Sequence, residues 1–169
     1  MKKTLLLFVV ALCAFGGDFE DGLEAYAKAD FKTAFDKFSA ACEANNGDAC
    51  TKLGSMYYFS RGVKADKQKA FELFTKACDA NSKDGCSSLG GMYKKGESVS
   101  ADAQKAQELF EKACELKEGY SCSVAGSYYL EKQTPEGFKK AKEFFDKSCS
   151  LGDKMGCQFA GDLRRSKRL

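Results

Sequence analysis

Cysteines recur in this chain with a period that any fold must respect. Cys42, Cys78, Cys114 and Cys149 stand 36, 36 and 35 residues apart, and each is followed eight residues later by a second, at Cys50, Cys86, Cys122 and Cys157. A period of this length marks one supersecondary unit stacked several times, so it outranks every local signal. The words around the cysteines recur as well. Phe38-Ser39-Ala40-Ala41-Cys42 is echoed by Phe74-Thr75-Lys76-Ala77-Cys78, Phe110-Glu111-Lys112-Ala113-Cys114 and Phe145-Asp146-Lys147-Ser148-Cys149. After the second cysteine come Cys50-Thr51-Lys52-Leu53-Gly54, Cys86-Ser87-Ser88-Leu89-Gly90, Cys122-Ser123-Val124-Ala125-Gly126 and Cys157-Gln158-Phe159-Ala160-Gly161.

These words are helical. Cys, Leu and Gly, followed by Tyr57, Tyr93 or Tyr129, fall on one helical face, with the glycine letting a neighbouring backbone approach. This first helix, A, is predicted over 19–28, 48–59, 84–95, 120–131 and 154–166. Ala70, Leu73, Phe74, Ala77 and Cys78 follow the i, i+3, i+4, i+7, i+8 pattern, and Ala106, Leu109, Phe110, Ala113 and Cys114 repeat it. This second helix, B, is predicted over 31–43, 66–80, 102–116 and 136–150. Pro135 precedes the last of these, where its missing N–H does no harm. Position 164 holds Arg where the earlier A helices hold Tyr, taken as buried, so residues 153–169 are expected to cap the array.

The N-terminus reads as a signal peptide over residues 1–17. Lys2 and Lys3 form the basic start, Leu5 to Ala14 the apolar centre and Ala14-Phe15-Gly16 a small-x-small cleavage site. About ten apolar residues are half of the ~20 that span a bilayer, so the expected product is exported, to the periplasm or the medium, without stable membrane insertion. Lipidation at Cys13 is disfavoured by Leu12, a bulky residue where a small one is needed, and Cys13 is expected to be discarded. Losing Lys2 and Lys3 turns 27 basic and 24 acidic residues into 25 and 24. That balance removes the support for a nucleic-acid partner. Arg164, Arg165, Lys167 and Arg168 are a local excess read as a solvated helix end.

Eight cysteines in an exported chain point to disulfides, which could pair in about 105 ways. On one continuous helix, residues i and i+8 would lie about 12 Å apart, beyond the ~7 Å that a disulfide tolerates between Cα atoms. The chain must turn between them, and Asn45-Asn46-Gly47-Asp48, Asn81-Ser82-Lys83-Asp84-Gly85, Lys117-Glu118-Gly119 and Leu151-Gly152-Asp153 supply turn formers. The expected bonds are Cys42–Cys50, Cys78–Cys86, Cys114–Cys122 and Cys149–Cys157. Bonds between repeats are disfavoured, because stacked helices lie about 8–10 Å apart axis to axis. A zinc role meets a chain with no histidine, and a redox role meets one with no C-x-x-C pair. No metal and no cofactor is expected.

Leu53-Gly54, Tyr57, Gly62-Val63, Asp66, Lys69-Ala70 and Lys76-Ala77 together resemble the Sel-one-like repeat, a relative of the tetratricopeptide repeat with a longer turn. The version with a cysteine pair in each repeat resembles the Helicobacter cysteine-rich protein family. The resemblance covers roughly residues 18–165. In the first unit Gly22 to Ala34 spans 12 residues against 16, 16 and 15 later, closer to tetratricopeptide spacing, and the third copy lacks the Gly-Val turn pair. The resemblance implies an all-α fold: a disulfide-stapled α/α solenoid of helix-turn-helix units winding as a right-handed superhelix, monomeric. Its parts would be a TPR-like repeat at 18–47, repeats at 48–83, 84–119 and 120–152, and the capping helix at 153–169.

Two functions follow. The resemblance brings in a beta-lactam-binding protein or weak beta-lactamase, as described for some cysteine-rich family members. The residues do not support it: Ser-x-x-Lys, Ser-Asp-Asn and Lys-Thr-Gly are all missing, and without histidine no Ser-His or Cys-His pair exists. Glu72, Glu108 and Glu143 beside Lys69, Lys105 and Lys140 read as a solvated helix face. Stacked helix pairs instead present a groove lined by the A helices, a surface for a peptide, protein or cell-wall ligand. Carried over from the tetratricopeptide relatives, its positions would be Thr51, Ser55 and Tyr58; Ser87, Gly91 and Lys94; Ser123, Ser127 and Leu130; and Gln158, Asp162 and Arg165.

Overall fold

The computed structural model describes residues 17–166. Helix α1 covers 17–27, followed by α2 (Phe31–Glu43), α3 (Gly47–Phe59), α4 (Lys67–Asp79), α5 (Lys83–Lys95), α6 (Ala103–Glu115), α7 (Gly119–Glu131), α8 (Pro135–Ser150) and α9 (Lys154–Arg165). The odd helices are the A helices and the even ones the B helices, each within two residues of its predicted span. The fold is an all-α solenoid of helix-turn-helix units carrying disulfides. The expected signal peptide and Cys13, with Lys167 and Arg168, lie outside the described residues except for Gly17. Among the described residues no helix is long and apolar enough to cross a membrane.

The boundaries are set by capping. Asp30, Asn46, Asp66, Ser82, Asp102, Glu118, Thr134 and Asp153 each accept a hydrogen bond from a backbone N–H of the helix that follows, worth about 1 kcal/mol apiece. Asp66 and Asp102 are extended caps rather than first helical residues, so α4 and α6 begin one residue later than predicted.

The B-to-A turn is three residues long. In Ala44-Asn45-Asn46, Leu116-Lys117-Glu118 and Leu151-Gly152-Asp153 the middle residue takes φ of 67°, 68° and 87°. Its N–H donates to the carbonyl of the B-helix cysteine, at 3.0 Å in all three turns. The next N–H donates to the residue before that cysteine, Ala41, Ala113 or Ser148. This double closure ends one helix and starts the next within a single reversal. Cys42 and Cys50, and Cys114 and Cys122, are thereby brought to Cα–Cα distances of 4.7 Å, and Cys149 and Cys157 to 4.4 Å, and each of these pairs is bonded. Cys78 and Cys86 are also disulfide-bonded.

The A-to-B linkers differ. Residues 60–66 and 96–102 open with left-handed Ser60 and Gly96, and close when Asp66 N–H and Asp102 N–H donate to the Tyr57 and Tyr93 carbonyls. In the third copy the linker is only 132–134, turned by Gln133 at φ 52°. Helix α8 has 16 residues where α6 has 13. Four linker residues are lost and three helical ones gained, which accounts for a step of 35 in place of 36.

The helices group into two compact units, described over 17–81 and 82–166. In both, an A-helix glycine receives a B-helix phenylalanine ring. A Cβ on Gly22 would stand 2.7 Å from Phe38, and one on Gly54 2.8 Å from Phe74. In the second unit, Gly90 meets Phe110 at 3.3 Å and Gly126 meets Phe145 at 2.7 Å. Phe38 and Phe145 are fully buried. Around the rings the interior is built from alanines and cystines: Ala34, Ala41 and Ala49 with Cys42 and Cys50 in the first unit, and Ala106, Ala125, Ala141 and Ala160 in the second.

Candidate functional site

Three A helices stand side by side in the second unit. Ser121 at the start of α7 donates through Oγ to Ser87 Oγ of α5 at 2.9 Å, and the Lys94 ammonium of α5 lies 5.9 Å from the ring centre of Tyr128 in α7. Leu130 of α7 and Asp162 of α9 line one cavity of about 270 Å³ with Phe159 and Leu163. Of the positions expected on these helices, Leu130 and Asp162 share that cavity; Lys94, Gln158, Asp162 and Arg165 are exposed and Ser87, Ser127 and Leu130 half-buried. Arg165 is held by Asp162, one turn back. In the first unit Ser55 and Tyr58 are half-buried on α3; the Tyr58 ring packs edge-on against Phe59, which is 64% exposed, and lies under the Lys67 ammonium.

Two of the expected groove residues are not surface residues. Thr51 and Ser123 are 6% and 1% exposed. Thr51 Oγ1 donates to the Gly47 carbonyl at 3.0 Å, and Ser123 Oγ to the Tyr120 carbonyl at 2.9 Å. A small hydroxyl on a helix can satisfy itself on the preceding turn, and here it serves as a packing residue. Ser55 and Ser127 make the same bond, to Thr51 and Ser123 carbonyls, but stay partly open.

The A-helix tyrosines also depart from expectation. Tyr57, Tyr93 and Tyr129 are half-buried; Met56 and Met92, one residue earlier, fill the core. A phenol keeps its hydroxyl near polar groups while its ring packs. Ammonium groups cover the exposed faces, Lys69 at 5.1 Å from Tyr57 and Lys132 at 4.7 Å from Tyr129. Arg164, at the matching place in α9, donates through Nε to the Ala160 carbonyl and lies 3.4 Å from Asp146.

Gly91 has no packing partner. Nothing lies within 4 Å of the position its Cβ would take, whereas its neighbour Gly90 faces Leu109 and Phe110 at 3.3 Å. A glycine inside a helix costs about 1 kcal/mol relative to alanine, and at Gly91 the fold gives no return for it.

A cleft of about 560 Å³ that the sequence reading missed lies between α6 and the end of α7. Its wall includes Gln107, Glu108 and Glu111 on α6 and Tyr128, Tyr129 and Glu131 on α7. Burial, then the nearby Glu131 charge, raises the Tyr128 phenol above its usual range; burial, then a hydrogen bond to Glu111, does the same for Tyr129. Both rings therefore stay protonated at neutral pH. At about 100° per residue, Tyr128 and Lys132 point away from the side of α7 that carries Ser123 and Leu130. The only sequence cue was the i, i+3, i+4 run Gln104, Gln107, Glu108, Glu111, which solvated helices share.

The cystines are not equally protected. Cys42, Cys50, Cys114 and Cys122 are at most 3% exposed, whereas Cys149 is half-buried and Cys157 exposed. Thiol–disulfide exchange needs the attacking thiolate to reach a sulfur, and a buried bond waits for local opening. Under limiting reductant followed by alkylation, Cys149 and Cys157 are expected to be labelled first. Equal labelling of Cys114 and Cys122 at early times would contradict the exposure difference. Among the described residues no three His, Cys, Asp or Glu side chains are grouped to hold a metal ion.

The Sel1 repeat profile matches residues 47–82, 83–118 and 122–153. Helicobacter pylori cysteine rich protein B (hcpB) is 38% identical, over 55% of this chain and 70% of that one, with a TM-score of 0.54. A Sel1 repeat protein from Oxalobacter formigenes is similar in fold, with a TM-score of 0.78 at 23% identity, covering 88% of this chain and 62% of that one. So is c5321, a protective antigen of uropathogenic Escherichia coli displaying an SLR fold, with a TM-score of 0.77 at 24% identity, covering 88% and 33%. The chain thus spans a third to three fifths of the length of these last two proteins. No curated protein sequence matches it.

Proposed function

This chain belongs to the Sel1 repeat family, and from that premise we propose that it is an exported scaffold that holds a peptide, protein or cell-envelope ligand along its A helices. The observation that carries the reading is Gly91. In mid-helix, with open space in front of it, it leaves room for another backbone to come close, and the following A helices α7 and α9 carry the half-open Ser127 and the exposed Gln158 and Asp162. Extended ligands bound by helical repeats need small side chains beside charged ones, and this side offers both.

Gly91→Ala separates binding from folding. The alanine fills empty space and gains helix propensity, so stability is expected to rise by about 1 kcal/mol. Binding is expected to fall. Photo-crosslinkers placed at Lys94 and Gln158 of the oxidised protein, exposed to native envelope extract, should give adducts that Gly91→Ala suppresses; a crosslinker at Lys139 on α8 should give none. Adducts equally strong at Lys139, or unaffected by Gly91→Ala, would place the ligand elsewhere. Nitrocefin turnover is expected to match a denatured control, since the serine hydrolase words are missing from the sequence.

A further inference from the structure

We infer that the cystine Cys149–Cys157 is a site of reversible exchange with dithiol reductants, attacked at the Cys157 sulfur, and that opening it frees α9 while α5, α6 and α7 stay folded. The inference concerns α9 and the turn before it, and does not depend on what the A helices bind.

Access decides where exchange begins. A thiolate must reach a sulfur to displace its partner, and six of the bonded cysteines give it no way in: Cys42, Cys50, Cys78, Cys86, Cys114 and Cys122 are all buried. Cys149 is half-buried and Cys157 exposed. The next residue along each A helix repeats the contrast, since Thr51 and Ser123 are buried after Cys50 and Cys122, whereas Gln158 is exposed after Cys157. The face that packing closes on α3 and α7 is therefore open on α9. In the first step the reductant's thiolate bonds to Cys157 Sγ as the S–S bond breaks, and Cys149 leaves as a thiolate that takes a proton from water. The second thiol of the reductant, deprotonated, then attacks its own sulfur in the mixed disulfide. Cys157 leaves as a thiolate, the dithiol ends as a cyclic disulfide, and two electrons have passed to the cystine. A disulfide oxidant runs the same steps backward.

Packing decides what the opening releases. Helix α7 is held from two sides: Val124 and Ala125 pack with Ala106 and Phe110 of α6, and Gly126 receives Phe145 of α8. Helix α9 is held from one. Ala160 and Leu163 pack with Ala141 and Phe145 of α8, and the Phe159 ring centre lies 5.1 Å from that of Phe145. On its other side Gly161, in the place where Gly22, Gly54, Gly90 and Gly126 seat a phenylalanine ring, meets only the Arg165 guanidinium, at 3.5–3.9 Å. A helix of 12 residues packed on one side depends on its staple more than α7 does. Lifting α9 uncovers Phe145 and Leu130, which now share a cavity with Phe159 and Leu163. Asp153 caps α9, and its carboxylate lies 2.8 Å from Ser148 Oγ at the end of α8, a contact that brings the two thiols back into register for closure.

The test uses the full oxidised chain. Mercaptoethanol, a monothiol, quenched early with acid, should leave its adduct on Cys157 in at least about tenfold excess over Cys149 by peptide mapping. A short pulse of dithiothreitol followed by iodoacetamide should give a species blocked at Cys149 and Cys157 alone. In that species hydrogen exchange in α9 should speed up by roughly 70-fold, the factor that one short-loop closure contributes, while α5, α6 and α7 keep their protection. Cys149→Ser with Cys157→Ser should reproduce the local change with no alkyl group present. Adducts divided equally with Cys149, unchanged exchange of α9 in either protein, or protection lost equally across α5, α6 and α7 would each overturn the inference.

Discussion

Reduction of the cystines is expected to unfold this protein at room temperature. Each bond closes a loop of eight residues' separation, and in the chain-entropy account such a closure contributes about 2.5 kcal/mol. The three closures come to roughly 7.5 kcal/mol, within the range of a whole domain's net stability. The interior cannot compensate. Much of what it buries is alanine, such as Ala34, Ala41, Ala77, Ala106, Ala113 and Ala141, and alanine removes little apolar surface from water. Helices of 13 residues are themselves marginal in isolation. The sulfurs thus serve as both core and staple. The pair Cys114→Ala and Cys122→Ala should lower stability by about 2.5 kcal/mol plus a smaller packing loss in urea titration. Complete reduction with a phosphine should abolish the helical circular dichroism signal. A reduced protein with an unchanged urea midpoint would show that the A-to-B and B-to-A contacts suffice without the bonds.

How far the sequence could be read depended on whether a signal repeated. The eight-residue cysteine step fixed the turn because geometry forbids a straight helix between bonded residues, and Asn45, Lys117 and Gly152 turned out to occupy the left-handed position. Helix ends were legible only to within two residues, and Asp66 and Asp102, read as the first helical residues, are the caps that precede them. Surface side chains were not legible in the same way. Thr51 and Ser127 look alike in sequence, both small hydroxyls on the expected binding side, yet one is buried and the other half-open; the difference comes from what packs across them. The cleft was hidden for a further reason. Glu108 and Glu111 sit on α6 and the tyrosines with Glu131 on α7, and nothing in the spacing of either helix announces the other. Gly90 and Gly91 make the same point within one helix, since adjacent identical residues face a packed ring and open space.

That contrast sets up the second large effect, at Gly126 and Phe145. The ring of Phe145 is fully buried and lies so close to Gly126 that an added Cβ would stand 2.7 and 2.8 Å from two ring carbons. Gly126→Ala therefore meets a clash that Gly91→Ala does not, while both gain the same helix propensity of about 1 kcal/mol. Overpacking of a fixed ring costs about 1–3 kcal/mol, so Gly126→Ala should be less stable than Gly91→Ala by that amount. Phe145→Ala removes the ring and should cost about 3–5 kcal/mol. The decisive measurement is the coupling. With Phe145→Leu in place the clash is relieved, and adding Gly126→Ala should then cost less than it does in the parent, by about 1 kcal/mol or more. Additive effects in that cycle would mean that the ring moves aside freely. In that case the recurring glycine would be explained by something other than the phenylalanine it faces.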